Sequence, residues 1–239
     1  MAAFGVGDSP VMPTSIADDR AALPVLPADR RSAMPRHPSP FRQAVCGVDE
    51  AGRGPLAGPV VVAAVILPRD HRIDGIADSK VLSPAVRERL FEIIVREAMV
   101  STVVVGAARI DAMNIRMATL WGMRRAIAAL PQAPTVALID GRDLPPGVVT
   151  KCRALVDGDA RSTAIGAASI VAKVTRDRLM TRLALSCPGY GFERHKGYAT
   201  AEHRAALAAL GASIHHRRSF APVRAALEAH ASAEREAAA

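Results

Sequence analysis

The sequence predicts an α/β fold, a mixed β-sheet flanked by helices with a helical C-terminal part. The chain has 239 residues, of which 50% are hydrophobic, so it can bury one good core. Apolar runs rich in β-branched residues come early, whereas alanine-rich stretches with helical spacing dominate the later part. No internal repeat breaks this order. Strands followed by helices in one unit are typical of a single α/β domain.

The beginning of the chain has a different composition. Residues 1–42 contain 7 of the 17 prolines and show no hydrophobic period. We therefore expect residues 1–42 to be a disordered, proline-rich extension. The folded domain is expected over residues 43–225, and an Ala/Glu-rich tail, helical or frayed, over residues 226–239.

The first predicted elements are two strands and a helix. Ala44–Asp49 is a short strand, and Val60–Leu67 is a β-branched run long enough for a buried strand. Ser83 and Pro84 are typical of a helix start, with serine as the N-cap and proline at the first helical position. Apolar spacing predicts that this helix continues to Glu97.

Three strands and one helix follow. Thr102–Ala107 is the next predicted strand. Asp111–Leu130 has helical spacing, and Pro131 lies just past its end. Thr135–Ile139 reads as a short buried strand, and Val148–Leu155 as a strand with a polar interruption.

The remaining predicted elements are helices. Arg161–Leu185 is a long alanine-rich helix, and Thr200–Leu210 and Ala221–Ala238 are further helices. This run of helices predicts the helical C-terminal part.

The charge balance favours an acidic partner. The chain has 31 Lys and Arg against 23 Asp and Glu, a net charge of +8. Such a surface favours polyanions, of which nucleic acid is the commonest, although charge alone leaves an ordinary basic protein open. Aromatic residues make up only 3% of the chain, so contacts should be to backbone and shape rather than stacked bases.

Other features bear on the compartment. The 3 cysteines form no CxxC pair, which indicates a reducing environment and no thiolate zinc site. No apolar run approaches the roughly 20 residues of a membrane-spanning helix, and the start lacks the pattern of a secretory signal. We expect a cytoplasmic protein that does not associate with a membrane.

Two adjacent acids, Asp49 and Glu50, end the first strand. Neighbouring strand residues point to opposite faces, so both can reach one site only if Ala51–Gly54 bends the chain. Glycines there also let the backbone approach a ligand. A solvated turn is the alternative interpretation, since Asp, Glu and Gly are common in turns.

Two more acids lie at element ends. Asp140 closes an apolar strand, and Asp159 stands at the entrance to the long helix. Either could be a turn or helix-cap residue. Together with Asp49 and Glu50 they favour a shared site for Mg²⁺ or Mn²⁺, which prefer oxygen ligands. Two such ions, roughly 3.5–4 Å apart, suit phosphodiester hydrolysis.

Several longer segments carry a family resemblance. The chain resembles bacterial ribonuclease HII, a type 2 ribonuclease H, and the likeness covers residues 45–224 in the family's order. The matching segments are Gly47–Pro59 (GVDEAGRGPLAGP), Asp78-Ser79-Lys80, Leu138–Gly141 (LIDG), Gly158-Asp159, Ala167–Asp177 (AASIVAKVTRD), Tyr190-Gly191-Phe192, His195–Tyr198 (HKGY) and His215–Phe220 (HHRRSF).

The resemblance implies a ribonuclease-H-like sheet and a role for individual residues. It implies metal ligands at Asp49, Glu50 and Asp140, with Asp159 as a fourth catalytic acid. Substrate contacts are implied for the loop Gly52-Arg53-Gly54, for Tyr198 at the sugar of the RNA–DNA junction, and for Lys80 near the backbone.

The implied activity is that of a metal-dependent endonuclease. It hydrolyses the RNA strand of RNA–DNA hybrids and cuts 5′ of ribonucleotides in duplex DNA, leaving 3′-hydroxyl and 5′-phosphate ends. The partners implied are these two nucleic acids, and we expect a monomer. Two alternatives stay open: another metal nuclease or recombinase of similar fold, and a non-catalytic hybrid-binding protein.

Remaining polar residues are interpreted more simply. Asp177 is expected to be a solvated or salt-bridged helix acid. The histidines His195, His203, His215 and His216 fit no common zinc spacing. A phosphate-binding face could include Arg161, Lys173, Lys196, Arg217 and Arg218, although such charges are usually only solvated.

Overall fold

The computed structural model describes residues 44–69, 73–76 and 82–237. Its strands are β1 Val45–Ala51, β2 Val60–Ile66, β3 Met99–Val105, β4 Val136–Asp140 and β5 Lys151–Leu155. Its helices are α1 Pro84–Glu97, α2 Ala107–Met113, α3 Ile115–Ala128, α4 Gly158–Arg161, α5 Thr163–Ser186, α6 Phe192–His195, α7 Ala201–Leu210 and α8 Ala221–Ala237. Within these ranges no helix has both the length and the apolar character to cross a membrane.

The strands form one mixed sheet in the order β3-β2-β1-β4-β5. Strand β1 is antiparallel to β2 and parallel to β4, while β3 and β5 form the two edges. Val48 of β1 lies opposite Ile139 of β4. The next residue of each strand is an acid, Asp49 in β1 and Asp140 in β4. Because the two strands are parallel, both acids lie at the same end of the sheet, where the strands finish.

Helices cover both faces of the sheet. On one face, α3 packs Leu120 and Met123 into a cluster that includes Val62 of β2. On the other face, α1 and α5 pack Leu90 and Val171 into a cluster with neighbouring residues of β2. Every residue of β2 is buried as a result, which explains its continuous apolar composition.

Helix α5 crosses directly over β1 at Gly47. A methyl group at Gly47 would lie only 2.0 Å from the backbone carbonyl carbon of Ala164, far inside van der Waals contact. The missing side chain lets the helix rest on the strand itself. This contact brings Ser169, further along α5, beside Asp49.

The segment between β1 and β2, Gly52–Pro59, is called the β1–β2 loop below. It is tied to the C-terminal part, because the N–H group of Leu56 donates to the carbonyl of Gly197 at 2.8 Å. Leu56 also packs with Leu207 and Val223. The C-terminal helices therefore hold this loop in place.

The predicted fold class is confirmed, with shifted boundaries. The strand predicted at Thr102–Ala107 spans Met99–Val105, and Ala107 instead begins α2. The helix predicted over Asp111–Leu130 is interrupted at Asn114, whose φ is +62° and whose side chain accepts the N–H of Met117. The strand predicted from Val148 begins at Lys151.

The other predicted helices are present, with one shifted start. Ser83 caps α1 by accepting the N–H of Val86, as predicted. The long helix predicted over Arg161–Leu185 corresponds to α5, which begins at Thr163, and Arg161 instead ends the short helix α4. The predicted extension at residues 1–42 lies outside the described residues, and the domain boundaries stay predictions.

Candidate active site

A cavity of about 500 Å³ opens at the carboxyl ends of β1 and β4. Its walls come from the end of β1, the β1–β2 loop, helices α1 and α5, and the segment after α6. It is lined by Asp49, Glu50, Ala51, Gly52, Arg53, Gly54, Arg87, Asp140, Ser169, Lys173, Arg176 and Tyr198. It brings together three predicted acids, the Gly-Arg-Gly loop and the predicted tyrosine.

The two neighbouring acids of β1 both reach this cavity. The strand continues to Ala51, and the chain turns at Gly52, where φ is +97°. The expected bend within Ala51–Gly54 thus falls at a glycine, which adopts this conformation without steric cost.

Asp49 is 5% exposed and lies among like charges. Burial, with the nearby carboxylates of Glu50 and Asp140, raises the pKa of Asp49 well above its usual range. Its Oδ1 accepts the N–H group of Glu50 at 2.7 Å, and the hydroxyl of Ser169 donates to the same side chain. These donors stabilise the charged form, while the neighbouring acids oppose it.

The other two carboxylates accept hydrogen bonds from the protein. Glu50 Oε1 accepts from Arg53 Nη1 at 3.2 Å. Asp140 Oδ1 accepts the N–H group of Gly158 at 2.8 Å, which ties the end of β4 to the start of α4.

The donor set fits a hard divalent cation, because the cluster offers carboxylate oxygens. A cation would also offset the repulsion that raises the pKa of Asp49. In the present conformation, however, no three acidic, histidine or cysteine side chains of the described ranges are arranged around one point as metal ligands. We expect cation binding to require Glu50 to turn away from Arg53.

Asp159 lies next to this cluster rather than in the cavity wall. It is 7% exposed at the start of α4, and its Oδ1 accepts the N–H group of Ala160 at 3.0 Å. Asp159 is not one of the described residues that line the cavity. Its neighbour Gly158 donates its N–H group to Asp140, which does line the cavity. The catalytic role of Asp159 therefore stays a prediction.

Helix α5 contributes a polar row to the cavity, of which the sequence analysis considered only Lys173, as a candidate phosphate contact. Ser169, Lys173 and Arg176 lie at positions i, i+4 and i+7 and line the cavity. Lys173 also forms a 2.8 Å ion pair with Asp177, which confirms the salt-bridged interpretation of that acid. The spacing of these three residues was the available signal, but the alanine-rich surroundings favoured an ordinary core helix.

Tyr198 stands beside the Gly-Arg-Gly loop. Its side chain is 45% exposed, and a methyl group at Gly54 would lie 3.8 Å from its Cε1 atom. The guanidinium carbon of Arg176 lies 5.9 Å from the centre of its ring. The ring therefore forms an exposed wall between the loop and α5.

A buried chain of hydrogen bonds holds the backbone at Tyr198. The N–H group of Ser213 donates to His216 Nδ1 at 3.0 Å, so that nitrogen is an acceptor and Nε2 carries the proton. His216 Nε2 then donates to His203 Nε2 at 3.0 Å. His203 Nδ1 in turn donates to the carbonyl of Tyr198 at 2.9 Å.

This chain requires both imidazoles to be neutral. Burial is the main reason that the pKa values of His203 and His216 are lowered, that of His216 to about 4. Each ring nitrogen of His203 and His216 thus has a partner within the protein.

Two sequence expectations for basic residues have different outcomes. Lys80 lies outside the described residues, so its place near the substrate stays a prediction. Arg217 is wrongly assigned to a phosphate-binding face, because it is fully buried. Its guanidinium donates to backbone carbonyls of the β1–β2 loop instead.

Known proteins resemble this chain over the same region. A family profile for ribonuclease HII matches residues 46–223. The ribonuclease HII of Maricaulis maris is 55% identical over 184 residues, which cover 77% of this chain and 84% of that protein.

Solved structures share the fold. The ribonuclease H2 of Pyrococcus horikoshii has a TM-score of 0.68 at 27% identity, covering 77% of this chain and 97% of that one. Bst-RNase HIII in complex with Mn²⁺ has a TM-score of 0.61 at 20% identity, covering 84% of this chain and 76% of that one, and at this identity the likeness concerns the fold alone. With the family profile spanning the sheet, the cavity and the helices as far as α7, the chain belongs to the ribonuclease HII family.

Proposed function

We propose that this endoribonuclease of RNA–DNA hybrids depends on Mg²⁺ or Mn²⁺ and also cuts 5′ of single ribonucleotides in duplex DNA. One observation carries the proposal: a single cavity holds Asp49, Glu50 and Asp140 together with the Gly-Arg-Gly loop and Tyr198. The acids can bind the cations that hydrolysis needs. The loop and the ring form a surface that can distinguish a ribose from a deoxyribose.

The carboxylates are the proposed metal ligands. Asp49, Glu50 and Asp140 would hold the ions, and Asp159 would support them from the start of α4. When bound, two divalent cations activate water and stabilise the charge that develops on the phosphate. Manganese is bound in the structure of Bst-RNase HIII, a protein of similar fold.

The cationic side chains around the acids have a separate role. Lys173 and Arg87 line the cavity beside the carboxylates and can attract the phosphate groups of the substrate. Arg53, whose side chain is half exposed, can exchange its bond with Glu50 for a phosphate contact. Lys80 is proposed to act on the same backbone.

Ribonucleotide recognition is assigned to the Gly-Arg-Gly loop and to the ring beside it. The 2′-hydroxyl distinguishes RNA from DNA at a given position. We propose that the backbone of Gly52, Arg53 and Gly54 contacts this hydroxyl while the ring of Tyr198 packs on the adjacent sugar. The small number of aromatic residues agrees with recognition of backbone and shape.

Two other functions are less well supported. A different metal nuclease or a recombinase would have no need for Tyr198 beside a glycine loop. A non-catalytic hybrid-binding protein would place buried carboxylates where they repel the phosphate backbone unless cations are present.

The test uses a DNA duplex that contains one ribonucleotide, incubated with the full chain and Mg²⁺ or Mn²⁺. We expect a single cut 5′ of the ribonucleotide, with 3′-hydroxyl and 5′-phosphate ends, and no cut with EDTA or in an all-DNA duplex. Asp140→Asn serves as the inactive control. Cleavage of long hybrids without cleavage of this duplex would refute the proposal for single ribonucleotides, and full activity in EDTA would refute metal dependence.

A further inference from the structure

Two buried arginines lie behind the β1–β2 loop. Arg176 is 1% exposed and Arg217 is fully buried. Each donates three hydrogen bonds within the described part of the chain, and all of them end on backbone carbonyl oxygens. Carbonyl oxygens, rather than carboxylates, are therefore the direct partners of both charges.

Arg217 donates hydrogen bonds to both ends of the β1–β2 loop. Its Nη2 donates to the carbonyl of Gly52 at 2.6 Å and its Nη1 to that of Arg53 at 2.8 Å. Its Nε donates to the carbonyl of Gly58 at 3.0 Å. A planar guanidinium can satisfy three carbonyls in fixed directions, which an ammonium group on a flexible stem cannot do.

Arg176 supports the same loop from α5. It donates to the carbonyls of Pro59 at 2.9 Å and Ala57 at 3.3 Å. A third bond reaches the carbonyl of Lys196 at 3.0 Å, two residues before Tyr198. Arg176 therefore connects the loop to the segment that carries the tyrosine.

The arrangement is electrostatically unfavourable by itself. Burial, and then the neighbouring charge of Arg176, lowers the pKa of Arg217 to about 9. Buried charges of one sign without direct carboxylate partners destabilise a fold unless other interactions compensate. Unfavourable arrangements of this kind are often found at functional sites. The part of the loop that accepts hydrogen bonds from Arg217 is therefore a candidate for a functional role.

The bonds of Arg217 fix the direction of two peptide groups. In a trans peptide the C=O of one residue and the N–H of the next point in opposite directions. Because the carbonyls of Gly52 and Arg53 face Arg217, the N–H groups of Arg53 and Gly54 point away from it. Gly52, Arg53 and Gly54 line the cavity, whereas Arg217 does not.

The two N–H groups are also available to a ligand. Among the described residues, neither the Arg53 nor the Gly54 amide donates a hydrogen bond. A guanidinium that donates to the carbonyl of a peptide also polarises its N–H group and strengthens it as a donor. The loop thus presents two consecutive, oriented donors at the cavity wall.

We propose that Arg217 is a positioning residue for ribonucleotide selection, which aims the N–H groups of Arg53 and Gly54 at the 2′-oxygen of the ribose. This inference rests on the proposed cleavage at single ribonucleotides. Arg217 does not touch the substrate; it acts through the loop. A site built to donate to a hydroxyl oxygen rejects a nucleotide without one, because its donors are then left unpaired.

The experiment compares Arg217→Lys with Arg224→Lys. Both variants keep the charge, but Arg224 is exposed, and of the two only Arg217 donates its side chain to the loop. The measured quantity is selectivity: the inhibition constant of an all-DNA duplex divided by the KM of the same duplex with one ribonucleotide. We expect Arg217→Lys to lower this ratio at least tenfold through KM, with the inhibition constant within twofold of wild type. Arg224→Lys should leave both constants within twofold.

An Arg217→Lys protein that melts near wild type and keeps its selectivity would overturn the inference. If this variant does not fold, amide NMR of the wild-type chain in EDTA decides instead. The Arg53 and Gly54 amide resonances should then shift more with the ribonucleotide duplex than with the all-DNA duplex, and equal shifts or none would overturn the inference. Failure of the wild-type chain to cut the ribonucleotide duplex would refute the proposed function itself.

Discussion

Asp140 is the acid of the cavity whose charge can be removed with little other change. Its Oδ1 accepts the N–H group of Gly158, and an asparagine side chain would keep an oxygen acceptor there. Its negative charge contributes to the raised pKa of Asp49. Charge and hydrogen bonding can therefore be separated at this residue.

We predict that Asp140→Asn abolishes cleavage and raises the melting temperature measured in EDTA. Removing one of three converging charges relieves repulsion, and each ~1 kcal/mol corresponds to about 2–4 °C for a chain of this size. Calorimetry with EDTA and with Mg²⁺ checks the melting temperature, and the cleavage assay on the ribonucleotide duplex checks the loss of activity. A marked fall in the EDTA melting temperature, with the response to Mg²⁺ retained, would mean that Asp140 is structural.

Tyr198 is expected to govern substrate position rather than metal binding. Its ring lies between the Gly-Arg-Gly loop and Arg176, and small misplacements of a substrate can cost about a hundredfold in rate. We predict that Tyr198→Ala slows cleavage at a single ribonucleotide strongly and cleavage of a long hybrid less. Metal affinity, measured by titration calorimetry, should stay near that of the wild type. Equal slowing of both substrates with lost metal affinity would contradict this assignment.

At this scale the sequence indicated some site residues and concealed others. Asp49 and Asp140 could be found because acids that end apolar strands are conspicuous. Arg176 and Arg217 could not, because their role depends on burial and on carbonyls more than 100 residues away along the chain. No local pattern contains such partners.

The elements that support Tyr198 respond to pH. His216 precedes α8 and His203 lies on α7, and together they link Ser213 to the Tyr198 carbonyl. A proton added to either ring would place two donors against each other. The chain of hydrogen bonds can therefore persist only while both imidazoles are uncharged.

We predict that the free energy of unfolding falls as the pH is lowered from about 6.5 towards 4. The pKa of His216 is about 4 in the folded protein, below its ordinary value of 6.5, so the unfolded chain binds more protons in this interval. The loss attributable to His216 between pH 7.5 and pH 5 is on the order of 2 kcal/mol. Urea unfolding at these two pH values measures it.

The matched variants are His216→Gln and His230→Gln, the latter on α8. We expect the pH dependence to be reduced in the first and retained in the second. If both variants keep the wild-type dependence, His216 does not carry the effect.

Element boundaries were predicted least well where one residue reverses the chain. Asn114 ends α2 and caps α3 with a positive φ, although the apolar spacing runs on through both helices. The spacing of apolar residues shows which face of a helix is buried. It does not show a change in chain direction, such as that at Asn114, when the same face stays buried on both sides of the change. The buried strand β2 was easier, because every one of its residues is apolar.

For the whole molecule, residues 1–42 are expected to be dispensable for chemistry. The family profile begins at residue 46, and none of the proposed site residues precedes Asp49. We predict that a shortened chain beginning at Arg42 cleaves both substrates within a few-fold of the full chain. Parallel steady-state assays check this, and a tenfold or greater loss, about 1.4 kcal/mol of barrier, would show that the extension takes part.

The contact between Gly47 and Ala164 limits how this enzyme can be redesigned. Most tight packing can be relieved by shrinking a partner side chain, but here the obstacle is the main chain of α5, which no second substitution can remove. Any larger residue at position 47 must lift the whole helix from the sheet and carry Ser169, Lys173 and Arg176 away from the carboxylates. Variation in directed evolution should therefore be tolerated around the cavity before it is tolerated at this glycine.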